Sequence, residues 1–150
     1  MRLISRTPIR TFILYPVIAV IWELAWNSGK LNFQPVFFPL MLWGYLQYRL
    51  CGVYRIKRGG GGPGLETPPE RLVATGPYAY TRNPMYLGHI IFLAGLALTL
   101  QSWFAAAIMV GVAIWFHARV VGDEKKLAER LGKSYIDYTN SVRRWIPGLF

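Results

Sequence analysis

Residues 83–118 read NPMYLGHIIFLAGLALTLQSWFAAAIMVGVAIWFHA, and none of them is Asp, Glu, Lys or Arg. At 1.5 Å of rise per residue, these 36 residues would make one helix of about 54 Å, against a bilayer hydrocarbon core of about 30 Å. One straight span is too long. Two spans of about 17 residues fit, and the polar pair Gln101-Ser102 marks the natural break. The stretch predicts helices near 85–100 and 103–121, joined by a very tight turn.

Upstream, 11–26 and 36–53 are two further apolar runs, each carrying one charge, Glu23 and Arg49. Pro16 lies inside the first and predicts a kink, whereas Pro35 and Pro39 sit at the start of the second, where proline is tolerated. Glu23 lies near the outer end of its span and Arg49 near the inner end of its own, so both can snorkel, although an intramembrane charge is a candidate for function. No A-x-A-like site follows the first run, so a cleaved signal peptide is not expected. The expected fold is an all-α membrane protein, a single domain over 1–150 with four transmembrane helices near 11–26, 36–53, 85–100 and 103–121.

Composition agrees. The 150 residues are 53% hydrophobic and only 16% charged, with mean hydropathy +0.28, whereas soluble globules average about a quarter charged. Intrinsic disorder is excluded by the same figures, and the single Cys51 excludes a disulfide scaffold. A net charge of +10 would suit nucleic acid if the basic residues were spread along the chain, but they cluster between apolar runs, so no nucleic-acid partner is expected. Arg2, Arg6 and Arg10 precede the first run, and Lys30 alone separates the first two. Arg55, Lys57, Arg58, Arg71 and Arg82 follow the second. Arg119, Lys125, Lys126, Arg130, Lys133, Arg143 and Arg144 follow the fourth. The positive-inside rule then makes both termini, the loop 54–84 and the segment 122–150 cytoplasmic.

The cytoplasmic loop opens with a glycine run, 59–62, followed by Pro63 and Gly64. It lacks the context of a phosphate-binding loop and reads as a mobile linker. Downstream, Gly76-Pro77 punctuates a turn, and Asn83-Pro84 starts a helix, asparagine capping and proline at the first helical position. Arg82 is thereby held at the mouth of the third span. On that helix Met85, Gly88 and His89 share a face, with Tyr86 a quarter-turn away, and Gly88 and Gly95 allow close approach of another helix or a ligand. His89 reads either as a packing residue or as a ligand contact. At the far end of the fourth span, His117 and Glu124 are two turns apart on one face, and Arg119 and Asp123 form an i,i+4 pair. Adjacent acids at 123 and 124 oppose the macrodipole of a helix ending near 121, a local misfit that points to function. A short amphipathic helix with Tyr135 and Tyr138 follows, and the closing run through Trp145 suits an interfacial anchor.

Residues 72–89, Asp123-Glu124 and the closing Tyr135, Tyr138, Arg143 and Pro147 together resemble the isoprenylcysteine carboxyl methyltransferase and phospholipid methyltransferase group of integral membrane methyltransferases. The resemblance covers roughly the C-terminal half. It implies transfer of a methyl group from S-adenosylmethionine, without a metal, to a lipophilic small-molecule or lipid acceptor entering from the bilayer: a prenylcysteine-like carboxylate, a phospholipid amine or a thiol. It implicates Tyr78, Arg82, Tyr86, Gly88, His89, Glu124, Tyr138 and Arg143 around the cofactor. Glu124 would accept from the donor's amino group or ribose, Arg82 or Arg143 would pair with its carboxylate, and Tyr78, Tyr86 and Trp145 would pack against adenine or the sulfonium. His89 or Glu124 would serve as the base for an acceptor that needs one. Asn83 stands where eukaryotic members carry histidine, and Asp123-Glu124 replaces a Glu-Glu pair. The resemblance further implies a multi-pass protein of a bacterial cytoplasmic membrane with its site facing the cytoplasm, and four spans leave room for an oligomer. A membrane reductase using NADPH, and a non-enzymatic small transporter or structural bundle, are the rival readings.

Overall fold

In the computed structural model, residues 6–62 and 65–146 are described; Arg2, Pro63, Gly64 and Pro147, named above, lie outside the described residues. Apolar runs without β-branched alternation become helices: α1 (Thr7–Trp26), α2 (Phe38–Gly59), α3 (Pro84–Leu100), α4 (Trp103–Leu131) and α5 (Lys133–Ser141). No strand occurs among the described residues. By length and apolarity α1 and α4 can each cross a membrane, and α3 is a shorter apolar helix.

The disturbance expected at Pro16 takes the form of a π-helical turn over Arg10–Leu14, in which Tyr15 N–H reaches back to the Arg10 carbonyl. Proline has no N–H to give the carbonyl four residues earlier, and a π-turn re-registers the ladder just ahead of it. The break at 101–102 falls as expected. Gln101 adopts φ +48, and the Ser102 hydroxyl accepts the Ala105 N–H at 3.0 Å, capping α4.

Two boundaries differ from expectation. α2 continues to Gly59, and α4 continues beyond 121 to Leu131. Gly122 stands in open space and is followed by strong helix formers, Glu124 to Leu131, so one helical glycine does not outweigh the next nine residues. Asp123 and Glu124 are therefore inside a helix and not at its end, and the macrodipole misfit inferred from sequence does not exist. The helix stops at Gly132, whose φ is +62.

The chain forms two compact units, one of the described residues up to Leu46 with Gly88–Ile114, the other Gln47–Leu87 with the described residues from Trp115 on. In the first unit, backbones approach closely through glycine: a Cβ on Gly44 would lie 2.6 Å from the Gly88 carbonyl oxygen, and one on Gly95 2.7 Å from Met41 N. Trp22 stacks on Phe104 at 4.4 Å and meets Trp103 edge-on at 5.9 Å. Phe12, in the π-turn, stacks on the fully buried His89 at 4.7 Å.

Glu23 does not snorkel. It is buried, accepting from Ser102 Oγ at 2.5 Å and Asn27 Nδ2 at 2.8 Å, and so ties α1 to the cap of α4. Arg49, in contrast, is exposed. Replacing Glu23 with Ala leaves the buried Ser102 hydroxyl and the half-buried Asn27 amide without their acceptor and is expected to cost about 1–3 kcal/mol. A lowered thermal midpoint in detergent checks this; an unchanged midpoint would show that the turn holds without it.

Candidate functional site

The second unit is assembled from the residues that flank the loop. Gln47 Nε2 donates to the Pro84 carbonyl at 3.0 Å, and the Met85 side chain packs over Gly52, where a Cβ would meet Met85 Cε at 3.3 Å. These contacts seat the start of α3 against the C-terminal half of α2. The GPY turn forms a 3-10 helix, Gly76–Ala79, whose buried Tyr78 donates to the Cys51 carbonyl at 3.5 Å.

The glycine run is not the mobile linker expected from its composition. Gly60 and Gly61 take φ +70 and +78, and the Gly59 carbonyl accepts both Glu70 N–H and Arg71 N–H. The buried Arg55 donates to the carbonyls of Gly62 and Thr67, each at 3.0 Å. From α4, Arg119 donates to the Leu65 carbonyl and Arg130 to that of Pro69. Three guanidiniums thus spend donors on loop carbonyls, a use that no local sequence pattern signals.

A cavity of about 360 Å³ opens within this unit, lined by Leu65, Leu72, Val73, Tyr78, Arg82, Asn83, Met85, Tyr86, Glu124, Tyr135 and Tyr138, among others. Among the lining residues Arg82 Nη1 lies 3.3 Å from Glu124 Oε2, and Arg144 Nη2 lies 3.0 Å from the same oxygen. Asn83 spends both amide protons here, on Glu124 Oε1 at 3.3 Å and the Arg144 carbonyl at 3.2 Å. The Arg144 carbonyl also accepts from Thr81 Oγ1, and the Arg143 carbonyl accepts the Arg82 N–H. Residues 142–146 therefore form a strap along the Arg82 corner. Arg82 Nε is buried and makes no hydrogen bond.

Tyr138 donates to the Tyr78 carbonyl at 2.6 Å and Tyr86 to Asp123 Oδ2 at 3.1 Å. Burial pushes the Tyr138 hydroxyl well above the usual phenol range and that of Tyr135 up to about 12, neighbouring Glu124 adding to the latter. A phenol whose folded pKa exceeds its unfolded value of about 10 stabilises fully below that value, and the contribution disappears as pH rises through the folded value. Thermal midpoints are expected to hold between pH 7 and 9 and fall above about pH 10; a midpoint flat to pH 11 would contradict the tyrosine burial.

Of the residues singled out from sequence, Tyr78, Arg82, Tyr86, Glu124 and Tyr138 line the cavity. Gly88 and His89 do not; both belong to the first unit, where His89 stacks on Phe12. Arg143 is exposed and contributes its carbonyl, and Arg144 is the arginine that reaches Glu124. Two adjacent arginines, Arg143 and Arg144, gave the sequence no means of choosing between them. His117 and Glu124 have different partners despite their common face: Trp145 bonds to His117 and is not a lining residue. Asn83 was read as a cap, and its side-chain amide serves the site instead. Among the described residues no three His, Cys, Asp or Glu side chains gather as a metal site requires.

Residues 62–134 match the family model described as phospholipid methyltransferase. Protein-S-isoprenylcysteine O-methyltransferase of Saccharomyces cerevisiae is 37% identical over 78 residues, covering 51% of this chain and 32% of that protein. The Schizosaccharomyces pombe protein of the same name is 33% identical over 78 residues, covering 51% and 33%. The nickel-cobalt-cadmium resistance protein NccN of Alcaligenes xylosoxydans xylosoxydans is 30% identical over 78 residues, covering 52% and 37%. The chain spans about a third of the length of these curated relatives. The GPY turn, the Arg82–Glu124 pair and the closing tyrosines gather around one cavity in the matched region and its C-terminal flank, and over this part the chain is similar to the phospholipid methyltransferase family model and to isoprenylcysteine O-methyltransferases.

Proposed function

We propose that this protein is an integral membrane methyltransferase that uses S-adenosylmethionine to methylate a lipophilic or membrane-associated acceptor. One observation carries the reading: the Arg82–Glu124 pair lines a cavity that is also walled by tyrosines and apolar side chains. A zwitterionic donor needs a cation for its carboxylate, an acceptor for its ammonium or ribose, and flat apolar surface for its base. The buried Arg82 Nε without a partner fits the first requirement, since an orphan donor beside a cavity favours an anionic oxygen. Glu124 Oε1 carries one bond, from Asn83, and has capacity for another. Tyr78, Tyr86, Tyr135 and Tyr138 supply the rest.

Bound there, the donor supplies an electrophilic methyl group on a sulfonium. The chain's own part is to bind, orient and exclude water, which accounts for most of the catalysis of an in-line displacement. Arg82 and Glu124 fix the polar end, and the tyrosines and Leu65, Leu72 and Val73 shield the apolar end. Glu124, held by two guanidiniums and an amide, is suited to anchoring and poorly placed to take a proton. An acceptor that is already anionic, such as a carboxylate, suits this cavity best among the three classes. We further propose one four-span domain over 1–150, with both termini and the cavity on the cytoplasmic side, supported by the helices α1 to α4 and the placement of the basic residues.

Titration of S-adenosylhomocysteine into the purified full chain in detergent tests the reading, with micromolar binding expected. A radiolabelled methyl-transfer assay against lipid extract and prenyl thiols identifies the acceptor. Absence of binding with a folded protein would overturn the proposal.

A further inference from the structure

Four tyrosines line the cavity, and three of them spend their hydroxyls on the protein. Tyr78 donates to the Cys51 carbonyl, Tyr86 to Asp123 Oδ2 and Tyr138 to the Tyr78 carbonyl. Tyr135 does not. Only 5% of this residue is exposed, and its ring packs on that of Tyr138 with centroids 6.0 Å apart. Its hydroxyl nevertheless makes no hydrogen bond among the described residues. Unlike Arg82 Nε, the oxygen is not wholly enclosed by protein, and the open space it meets is that of the cavity the residue lines.

Folded proteins pair the large majority of their buried polar groups, so an exception that faces a cavity points to what enters the cavity. The charged groups that act on the Tyr135 hydroxyl are Glu124, Arg82, Arg144 and Asp123, which places it in the same corner as the Arg82–Glu124 pair. Hydrogen-bonding groups there can be matched one by one. Arg144 gives Nε and Nη2 to Glu124, Arg82 gives Nη1, and Asn83 gives its amide. Two hydrogen-bond donors stand unspent, Arg82 Nε and the Tyr135 hydroxyl. A carboxylate has two oxygens to receive them. Burial and the neighbouring Glu124 keep the phenol protonated, so it has a proton to share.

We infer that Tyr135 contacts the methyl donor directly: its hydroxyl donates to one oxygen of the methyl donor's carboxylate while Arg82 Nε donates to the other. This rests on the proposed use of S-adenosylmethionine and adds a source of discrimination to it. A site built to hydrogen-bond a group selects against an analogue lacking that group, because its own polar atoms are then left unpaired. Tyr78, Tyr86 and Tyr138, their hydroxyls already spent, offer ring faces alone.

The test uses the full chain in detergent and two probes: S-adenosylhomocysteine, and 5′-methylthioadenosine, which keeps the adenosine and thioether but has no amino acid. Tyr135→Phe is expected to bind S-adenosylhomocysteine about tenfold more weakly than wild type, the worth of one hydrogen bond to a charged group. It should bind 5′-methylthioadenosine as wild type does. Without a probe, its thermal midpoint should equal or exceed that of wild type, since no bond within the protein is lost. Tyr138→Phe, which strips the Tyr78 carbonyl of its donor, should melt several degrees lower. Unchanged S-adenosylhomocysteine affinity in Tyr135→Phe, or an equal loss for both probes, would overturn the inference. So would a fall in midpoint matching that of Tyr138→Phe, which would make Tyr135 a structural residue. A folded wild type that binds neither probe overturns the methyl-donor reading and this inference with it; a wild type that binds both, matched by Tyr135→Phe, overturns this inference alone.

Discussion

Glu124→Ala is expected to weaken S-adenosylhomocysteine binding at least about 100-fold, or about 2.7 kcal/mol. The carboxylate accepts from three side chains, Arg82, Arg144 and Asn83, and only about a tenth of its side-chain surface is accessible. Truncation removes the proposed acceptor for the donor's ammonium or ribose, and it also leaves two guanidiniums side by side without a counter-charge. Breaking one partner of a largely buried pair typically costs about 3–5 kcal/mol; the Arg144 side chain is 30% exposed, so solvent screens part of that and the lower end applies. Glu124→Gln keeps an oxygen for one arginine and should lose about tenfold in affinity. Calorimetry on both variants, with helix content followed by circular dichroism, separates binding from folding. Affinity within threefold of wild type in Glu124→Ala would remove Glu124 from the donor site.

Gly44→Leu is expected to prevent accumulation of folded protein, and Gly44→Ala to lower the thermal midpoint by several degrees. Already the first added carbon would lie 2.6 Å from the Gly88 carbonyl oxygen and 2.9 Å from Phe92 Cα. These are main-chain atoms of α3 that no rotamer change can move, so α2 and α3 must separate along their contact, at about 1–3 kcal/mol for overpacking. In a bilayer, helix association depends on such close backbone approach, because burying apolar surface away from lipid gains little. Gly111→Ala is the matched control. It lies in α4 with nothing within 4 Å, and removing a helical glycine there should stabilise by up to about 1 kcal/mol. Equal midpoints for Gly44→Ala and Gly111→Ala would show that the α2–α3 contact is not tight.

Both outcomes bear on what a one-dimensional reading can see. The helices, and the break at Gln101-Ser102, were legible because a bilayer-length apolar run interrupted by two polar residues has few other ways to satisfy its backbone. The end of α4 was misplaced by ten residues because the change from apolar to charged at Gly122 marks a change of surroundings, and charged residues such as Glu124, Lys125 and Lys126 continue a helix well. Reading the glycine run as a linker failed for a related reason. Its composition permits mobility, but the carbonyls it exposes are taken up by Arg55 and, through the following residues, by Arg119 and Arg130, which are brought to it from two helices.

Local order in the sequence determined the elements: the apolar runs, the proline-started helices, the GPY turn and the Arg82–Asn83–Pro84 corner are each a matter of neighbouring residues and their backbone preferences. Only the tertiary structure decided which side chains share the cavity. It brought Arg144, and not Arg143, to Glu124, placed His89 on Phe12 away from the lining, and set Trp145 on His117. Those choices depend on contacts between residues 20 to 77 positions apart, where a shift of one residue turns a side chain to another face, and no spacing within a single helix encodes them.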